Sequence, residues 1–184
     1  MNKIYTKNGD NGQTFLNNSL IVDKDDFLID LLGDIEELNV YIGNINEIHL
    51  EFLNNIQIWL FDLETLIRNP EKKYIFDVNL EYTKKIEDTI DNMENKLPKL
   101  NGLILPKGTI TISRAVCRRV ERKLVAAKKK YSHIDNNSLV FINRLSDYLF
   151  QLSRYAHFIV NKKEIIYNKS DILTLTNDFE DMKL

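Results

Sequence analysis

Four arginines lie in one stretch near the middle of the chain, S-R-A-V-C-R-R-V-E-R-K over residues 113–123, and three of them recur at a regular spacing. Spacings of four residues place Arg114, Arg118 and Arg122 on one face of an α-helix, with Glu121 beside them. Guanidinium groups on one face repel one another, and a single carboxylate does not neutralise three. Because guanidinium makes paired hydrogen bonds to phosphate or carboxylate, the face predicts either a solvated stripe or an anion-binding surface.

The other side of that predicted helix is apolar and includes Val116, Cys117 and Val120. Cys117 is the only cysteine in the sequence, which excludes an internal disulfide and a cysteine-built zinc site. Its apolar setting predicts a small core residue and not a nucleophile. The three histidines occur singly, without a second His or a Glu at helical spacing, so no protein metal centre is predicted.

A glycine-containing turn lies near the start of the chain, K-I-Y-T-K-N-G-D-N-G-Q-T over residues 3–14. Its backbone N–H groups, Lys7 and the hydroxyls of Thr6 and Thr14 could cradle phosphates, although an ordinary surface turn is the plainer interpretation. The G-K-[ST] ending of a Walker A loop is absent. The residues that follow are polar and predicted to be irregular, with Lys24 able to point back to the turn.

The elements that must position these residues are predicted to be helices. Apolar residues repeat at three- and four-residue spacing in five segments, and all three prolines fall between them. The predicted helices cover residues 26–45, 50–68, 77–96, 110–131 and 137–160. Five such segments with no comparable strand pattern predict an all-α bundle with coiled-coil-like packing.

Length and composition indicate one globular domain, since 184 residues with 43% hydrophobic and 28% charged residues are ordinary values for that class. We expect an N-terminal loop over 1–25, the bundle over 26–160 and a tail over 161–184. Net charge of −2 argues against a general nucleic-acid surface. No apolar run predicts a membrane span, and no targeting signal is visible, so a cytoplasmic location is expected.

The last predicted helix and the tail contain further polar and extended features. Asn143 and Asp147 lie one turn apart on the last predicted helix, which indicates either a cleft for a polar ligand or a hydrogen-bonded Asn–Asp pair at a contact. Arg144 and Arg154 are expected to face solvent or acidic partners. In the tail, residues 165–167 are predicted to form a short extended stretch against the bundle, and the acidic end is expected to be mobile.

Four motifs now stand in order along the chain: T-K-N-G-D-N-G-Q-T, G-D-I-E-E-L-N-V-Y-I-G, R-A-V-C-R-R-V-E-R and N-R-L-S-D-Y-L-F. Together they resemble the PduO-type ATP:cob(I)alamin adenosyltransferases over residues 3–167. The resemblance implies a five-helix bundle assembled as a homotrimer. It also implies transfer of the 5′-deoxyadenosyl group of ATP to cob(I)alamin, with release of triphosphate. Because cob(I)alamin is itself a strong nucleophile, the chemistry needs no histidine or cysteine base.

The resemblance implies an ATP site shared by two protomers. The loop of one protomer would contribute Thr6, Lys7, Asn8, Gly9, Asp10, Thr14 and Phe15, with Lys24 on the phosphates. The neighbouring protomer would contribute Arg118, Arg119, Glu121, Arg122 and Asn143. Arg118 and Arg122 are expected to act catalytically by stabilising charge on the leaving triphosphate, assisted by Mg²⁺. Glu36 would form a salt bridge with Arg118 across the subunit interface.

The chain departs from the family pattern at several positions. Asn8 replaces the usual Thr or Ser, Leu20 stands where an arginine is common, and Glu36 replaces Asp. The loop before the arginine helix is short and lacks the aromatic residue that packs against the corrin, so Leu103 is expected to face it instead. A reductase would supply cob(I)alamin. The alternatives are a catalytically silent bundle that binds ATP or only self-associates, and a helical scaffold whose arginines meet an acidic partner.

Overall fold

Five helices make up most of the chain in a computed structural model that describes residues 3–17, 19–70 and 74–168. The helices are α1 (Phe27–Gly43), α2 (Phe52–Arg68), α3 (Glu81–Glu94), α4 (Thr109–Lys130) and α5 (Asn136–Ile159). A two-stranded hairpin, β1 (Gln13–Phe15) and β2 (Ile21–Asp23), precedes them. The predicted five-helix bundle is confirmed.

Local signals fix several helix ends. Asp26 caps α1, because its Oδ1 accepts a hydrogen bond from the backbone N–H of Leu28 at 2.7 Å. Asp135 caps α5 through the N–H of Ser138 at 2.8 Å. Pro70 follows the end of α2 closely, as expected from the steric restriction that proline places on the residue before it.

The third helix is shorter than the predicted span of 77–96, and this part of the prediction is wrong. Asp77, Asn79 and Leu80 have φ values of 48°, 58° and 57°, which interrupt a regular helix. The buried carboxylate of Asp77 compensates by accepting hydrogen bonds from the N–H of Tyr82 at 2.7 Å and of Thr83 at 3.1 Å. A side chain before the helix therefore sets its true start.

Helix α4 packs on both α1 and α5, while α2 packs on α1 and α3 packs on α5. The core lies between these five helices. Its fully buried members come from all these elements and include Leu31, Ile35, Leu60, Leu63, Ile86, Val120, Leu124, Phe141, Tyr148 and Leu149. Cys117 is also fully buried, with Sγ 3.4 Å from the carbonyl oxygen of Ile142. Burial raises the pKa of its thiol well above the usual range, so the prediction of a core residue is confirmed.

The sequence predicted an irregular region after the glycine turn. This prediction is wrong, because the region forms the β1–β2 hairpin. Thr14 pairs with Val22 in an antiparallel register. Asn17 closes the connection, because its Oδ1 accepts from the N–H of Ser19 and of Leu20 at 2.9 Å each. Such short strands lack a long alternating pattern, which explains why the sequence did not reveal them.

The predicted extended stretch Ile165–Tyr167 is confirmed, but it pairs with the loop before α4 and not with a helix. Ile166 forms an antiparallel bridge with Ile104. The N–H of Tyr167 donates to the carbonyl of Leu103 at 2.6 Å. The acidic end of the tail lies outside the described residues. Among the helices that are described, none has both the length and the apolar character needed to cross a membrane.

Candidate functional site

The glycine turn folds back on itself and brings Lys24 over it. The N–H of Asp10 donates to the carbonyl of Lys7, and the N–H of Gly12 to that of Gly9, at 3.3 Å each. Lys24 closes the turn from the other side through its own N–H, 2.8 Å from the carbonyl of Gly12. Its ammonium nitrogen lies 3.1 Å from the point that a Cβ on Gly9 would occupy. The structure therefore brings the predicted phosphate lysine and the glycine turn together.

Most side chains of this turn point into solvent. Thr6, Lys7, Asn8 and Asp10 are exposed, and the ring of Phe15 is about half exposed. The predicted ATP-binding residues of the loop are thus contiguous and accessible. An apolar ring with so little packing inside its own chain is suited to cover a ligand or a neighbouring surface.

The arginine helix begins where a side chain from another loop caps it. Glu47, between α1 and α2, accepts a hydrogen bond at Oε1 from the N–H of Thr109. Gly108 precedes this residue with φ 84° and ψ 173°, a backbone conformation that favours glycine. A Cβ on Gly108 would lie 2.6 Å from Oε1 of Glu47, so the cap also requires that glycine.

One side of α4 is tied to α1 by ion pairs. Arg119 pairs with Asp34 at 3.2 Å and with Glu37, and Lys123 pairs with Asp30 at 2.6 Å and with Asp34 at 2.8 Å. Burial alone would lower the pKa of Arg119, but the hydrogen bond and charge of Asp34 and the charge of Glu37 outweigh it, and its pKa is raised. Arg119, which the resemblance places at the nucleotide, is therefore already neutralised within the chain.

The other side of α4 carries the two arginines predicted to be catalytic. Arg118 and Arg122 are exposed, and Nη1 of Arg122 donates to the carbonyl of Arg118 at 3.0 Å. Neither forms an ion pair with any residue that the structure describes. Glu121 lies beside them and accepts from Nδ2 of Asn143 at 2.8 Å. These four predicted site residues therefore form one polar surface with unneutralised positive charge.

The structure decides between alternatives that the sequence left open on α5. Asn143 bonds Glu121 and not Asp147, whose carboxylate pairs with Arg144 at 3.1 Å, so no Asn–Asp pair exists. Arg154, expected to face solvent or acidic partners, takes the second course: it is 5% exposed and its guanidinium pairs with Glu164 at 3.0 Å. Both partners come from packing that spacing along one helix does not reveal.

Arg114 is separated from the other two arginines by its surroundings. Its guanidinium carbon lies 5.2 Å from the centre of the Phe150 ring, a cation–π contact in a cavity of about 600 Å³ between α3, α4 and α5. A second cavity, of about 710 Å³, opens beside Arg122 and is lined by Thr111 and Ile112. A volume of this order accommodates a nucleotide-sized ligand.

The glycine turn does not reach these arginines within one chain. None of the described residues 3–17 and 19–24 lines the cavity beside Arg122, and no described hydrogen bond or ion pair joins them to Arg118 or Arg122. Leu103, the residue expected to face the corrin, has a side chain that is 74% exposed. Within the described part of a single chain, the turn and the arginines therefore do not form one site.

The five-helix bundle is similar to solved structures of corrinoid adenosyltransferases. It superposes with a TM-score of 0.82 on a phenylalanine-to-alanine variant of a PduO-type ATP:corrinoid adenosyltransferase from Lactobacillus reuteri, complexed with cobalamin and ATP. The two chains are 32% identical, with 91% of this chain and 100% of the other covered. An arginine-to-lysine variant of that enzyme, complexed with ATP, gives a TM-score of 0.79 at 31% identity, covering 90% and 100% of the two chains.

Sequence comparison agrees with the structure. Human corrinoid adenosyltransferase MMAB is 35% identical over 188 residues, covering 92% of this chain and 74% of that protein. The corrinoid adenosyltransferase of Bacillus subtilis is 32% identical over 186 residues, covering 93% and 95%. The family model described as cobalamin adenosyltransferase matches residues 4–156. The chain belongs to the cobalamin adenosyltransferase family, and the resemblance seen in its four motifs is confirmed.

Proposed function

We propose that this chain, as a corrinoid adenosyltransferase, transfers the 5′-deoxyadenosyl group of ATP to cob(I)alamin and releases triphosphate. The observation that carries the proposal is the division of charge on α4. Arg119 and Lys123 are neutralised by carboxylates of α1, whereas Arg118 and Arg122 are exposed and have no ion pair within the described chain. Arg122 lines the cavity of about 710 Å³, and Arg118 lies one turn away on the same face, so these two free guanidiniums are suited to bind a polyphosphate.

The chemistry asks little of the protein beyond binding and charge stabilisation. The cobalt of the substrate donates an electron pair to C5′ of ATP, the C5′–O5′ bond breaks, and its electrons leave with the triphosphate. Arg118 and Arg122 would stabilise the negative charge that builds on that oxygen. The glycine turn and Lys24 would hold the phosphates in line with the attack. No general base is required, in keeping with a buried Cys117 of raised pKa.

Two faces of the chain support assembly into a ring. On α1 and α2, Val40 and Phe61 are more than half exposed and lie on the same side as the acidic Glu36. On α4, the partly exposed Val125 lies seven residues after the basic Arg118, on the same side of the helix. Different surfaces of opposite charge pair head to tail, and such contacts close into a ring when the rotation fits. We propose the homotrimer, with Glu36 bridging to Arg118 of the partner subunit.

Magnesium would enter this site as part of the substrate. Among the described residues no group of three or more His, Cys, Asp and Glu side chains could hold a metal ion, and the predicted ATP contacts are mainly cations, amides and hydroxyls. Mg²⁺ usually keeps several waters and binds through substrate phosphates, so it would accompany ATP. Leu103 would exclude water from the corrin face. A reductase that supplies cob(I)alamin, and a cytoplasmic location, complete the proposal.

An adenosylation assay tests the proposed function. The purified chain, given ATP and chemically reduced cobalamin, should form adenosylcobalamin, seen by its absorbance spectrum, and one triphosphate per turnover. Calorimetry with ATP and with cob(II)alamin separately distinguishes the alternatives. Binding of ATP without corrin would favour the silent ATP-binding bundle, and binding of neither would favour a protein that only self-associates.

A further inference from the structure

The groove between α1 and α2 brings two carboxylates together. Nδ2 of Asn39 donates to the carbonyl oxygen of Gln57, and Nε2 of Gln57 donates to the carbonyl oxygen of Asn39, at 3.2 Å each. Nε2 of Gln57 also lies 2.7 Å from the point that a Cβ on Gly43 would occupy. The two helices are antiparallel, so a residue one turn before Asn39 and a residue two turns after Gln57 lie toward the same end of the groove, where their charges interact. Those positions are Glu36 and Glu64.

Glu64 is poorly compensated inside its own chain. Its side chain is 12% exposed, and its ion pair is with Arg68 at 3.4 Å, whose side chain is 41% exposed. Burial raises the pKa of Glu64, the charge and hydrogen bond of Arg68 lower it, and the charge of Glu36 raises it, with a net upward shift. A buried carboxylate beside a second carboxylate is costly unless another cation approaches.

The surroundings of the pair indicate what that cation belongs to. Val40 and Phe61, 57% and 60% exposed, lie next along the same groove and leave an apolar surface beside the two acids. On the proposed partner face of α4, Arg118 is exposed on the same side as the apolar Val125, which is 39% exposed, and has no acidic partner among the described residues. The two faces are therefore complementary in both charge and apolar character.

We propose that Glu64 is a positioning residue: together with Glu36 it receives the guanidinium of Arg118 of the partner subunit and thereby holds the partner's arginine helix at the ATP site. A guanidinium has five donors in a planar fork and can bridge two carboxylates. The inference rests on the proposed function, because it uses the shared site, but it adds a residue that the four motifs do not contain.

Matched variants separate this role from a purely structural one. Glu64→Gln removes the charge while keeping the shape, and Arg68→Gln breaks the same in-chain ion pair from its other end. The trimer dissociation constant is measured by sedimentation over a dilution series, and the KM for ATP and kcat by adenosylation. We expect Glu64→Gln to weaken assembly and raise KM by about tenfold, whereas Arg68→Gln changes neither more than about twofold. Glu64→Asp should restore part of the loss.

A double-mutant cycle with Arg118→Gln provides the decisive comparison. If Glu64 acts through the partner's Arg118, the double variant assembles about as well as Arg118→Gln alone. Additive losses, or equal losses for Glu64→Gln and Arg68→Gln, would overturn the proposed role. If Glu36→Gln and Arg118→Gln weaken assembly but Glu64→Gln does not, only this inference fails. If none of them weakens assembly, the shared interface of the proposed function fails as well.

Discussion

Neighbouring arginines of α4 should respond in opposite ways to truncation. Arg122 is exposed and donates only to a backbone carbonyl of its own helix, so Arg122→Ala should change the free energy of unfolding by less than about 0.5 kcal/mol. If its guanidinium stabilises the leaving triphosphate, turnover should fall by about 100- to 1,000-fold. The same loss is expected for Arg118→Ala.

Arg119→Ala should show the reverse order of effects. The pair with Glu37, which is 42% exposed, contributes at most ~1 kcal/mol. The side chain of Asp34 is 12% exposed and would keep only its ion pair with Lys123. Leaving this buried acceptor partly unsatisfied costs a further ~1–3 kcal/mol. A total near 2 kcal/mol corresponds to a Tm lower by about 4–8 °C in a chain of this size. Activity below that transition should fall less than in Arg122→Ala.

The assay pairs steady-state adenosylation with thermal unfolding followed by circular dichroism, on all three variants at one protein concentration. Near-normal turnover in both Arg118→Ala and Arg122→Ala would refute their assignment. A 100-fold loss in Arg119→Ala with an unchanged Tm would show that Arg119 binds the nucleotide, as the family resemblance implies, and that its ion pairs with α1 are secondary.

Three further predictions follow from local structure. Gly108 has a positive φ, and a Cβ there would lie 2.6 Å from Oε1 of Glu47, so Gly108→Ala should reduce the free energy of unfolding by about 1–3 kcal/mol and lower Tm. The control Gly33→Ala, with open space around it, should be neutral or stabilising. Equal melting curves for the two variants would contradict this prediction. Burial raises the pKa of Cys117, so a thiol reagent should label it only after unfolding; fast labelling of native protein would disprove the burial. The pKa of Glu64 is raised from 4.5, so the folded subunit binds its proton more tightly than the unfolded chain. The stability of the dilute, dissociated subunit should therefore fall as pH rises from 4.5 through the raised pKa, and Glu64→Gln should flatten that slope; the same slope in both proteins would count against it.

Features encoded by short-range spacing were predictable from sequence. The five helices follow from apolar repeats, and Asp26 and Pro70 mark ends through side-chain capping and proline sterics. The exposed Arg118 and Arg122 likewise follow from a four-residue spacing on one face. The proximity of Lys24 to Gly9 could be anticipated, because only fifteen residues separate them and a turn lies between.

Features that depend on distant partners were not predictable. Glu47 caps a helix that begins 62 residues later, and Arg119 finds Glu37 82 residues earlier. Nothing in either local pattern identifies the other member of these pairs. Arg154 was expected to face solvent or acidic partners, but its spacing did not identify the partner, which is the tail residue Glu164. Together with the carbonyl of Pro98, this carboxylate makes the burial of Arg154 tolerable. The division of the chain into loop, bundle and tail at residues 25 and 160 stays a prediction.

Mixed oligomers test most directly whether one ATP site is built by two subunits. Lys24→Ala disables the loop, Arg122→Ala disables the arginine helix, and each variant alone should be nearly inactive. Unfolding and refolding them together in equal amounts, with different tags to isolate mixed oligomers, should restore sites that take the loop from one variant and the helix from the other. Each mixed trimer contains one intact site out of three, so the isolated mixed oligomers should reach about a third of wild-type activity. Mixed oligomers that stay as inactive as their parents would contradict a shared site.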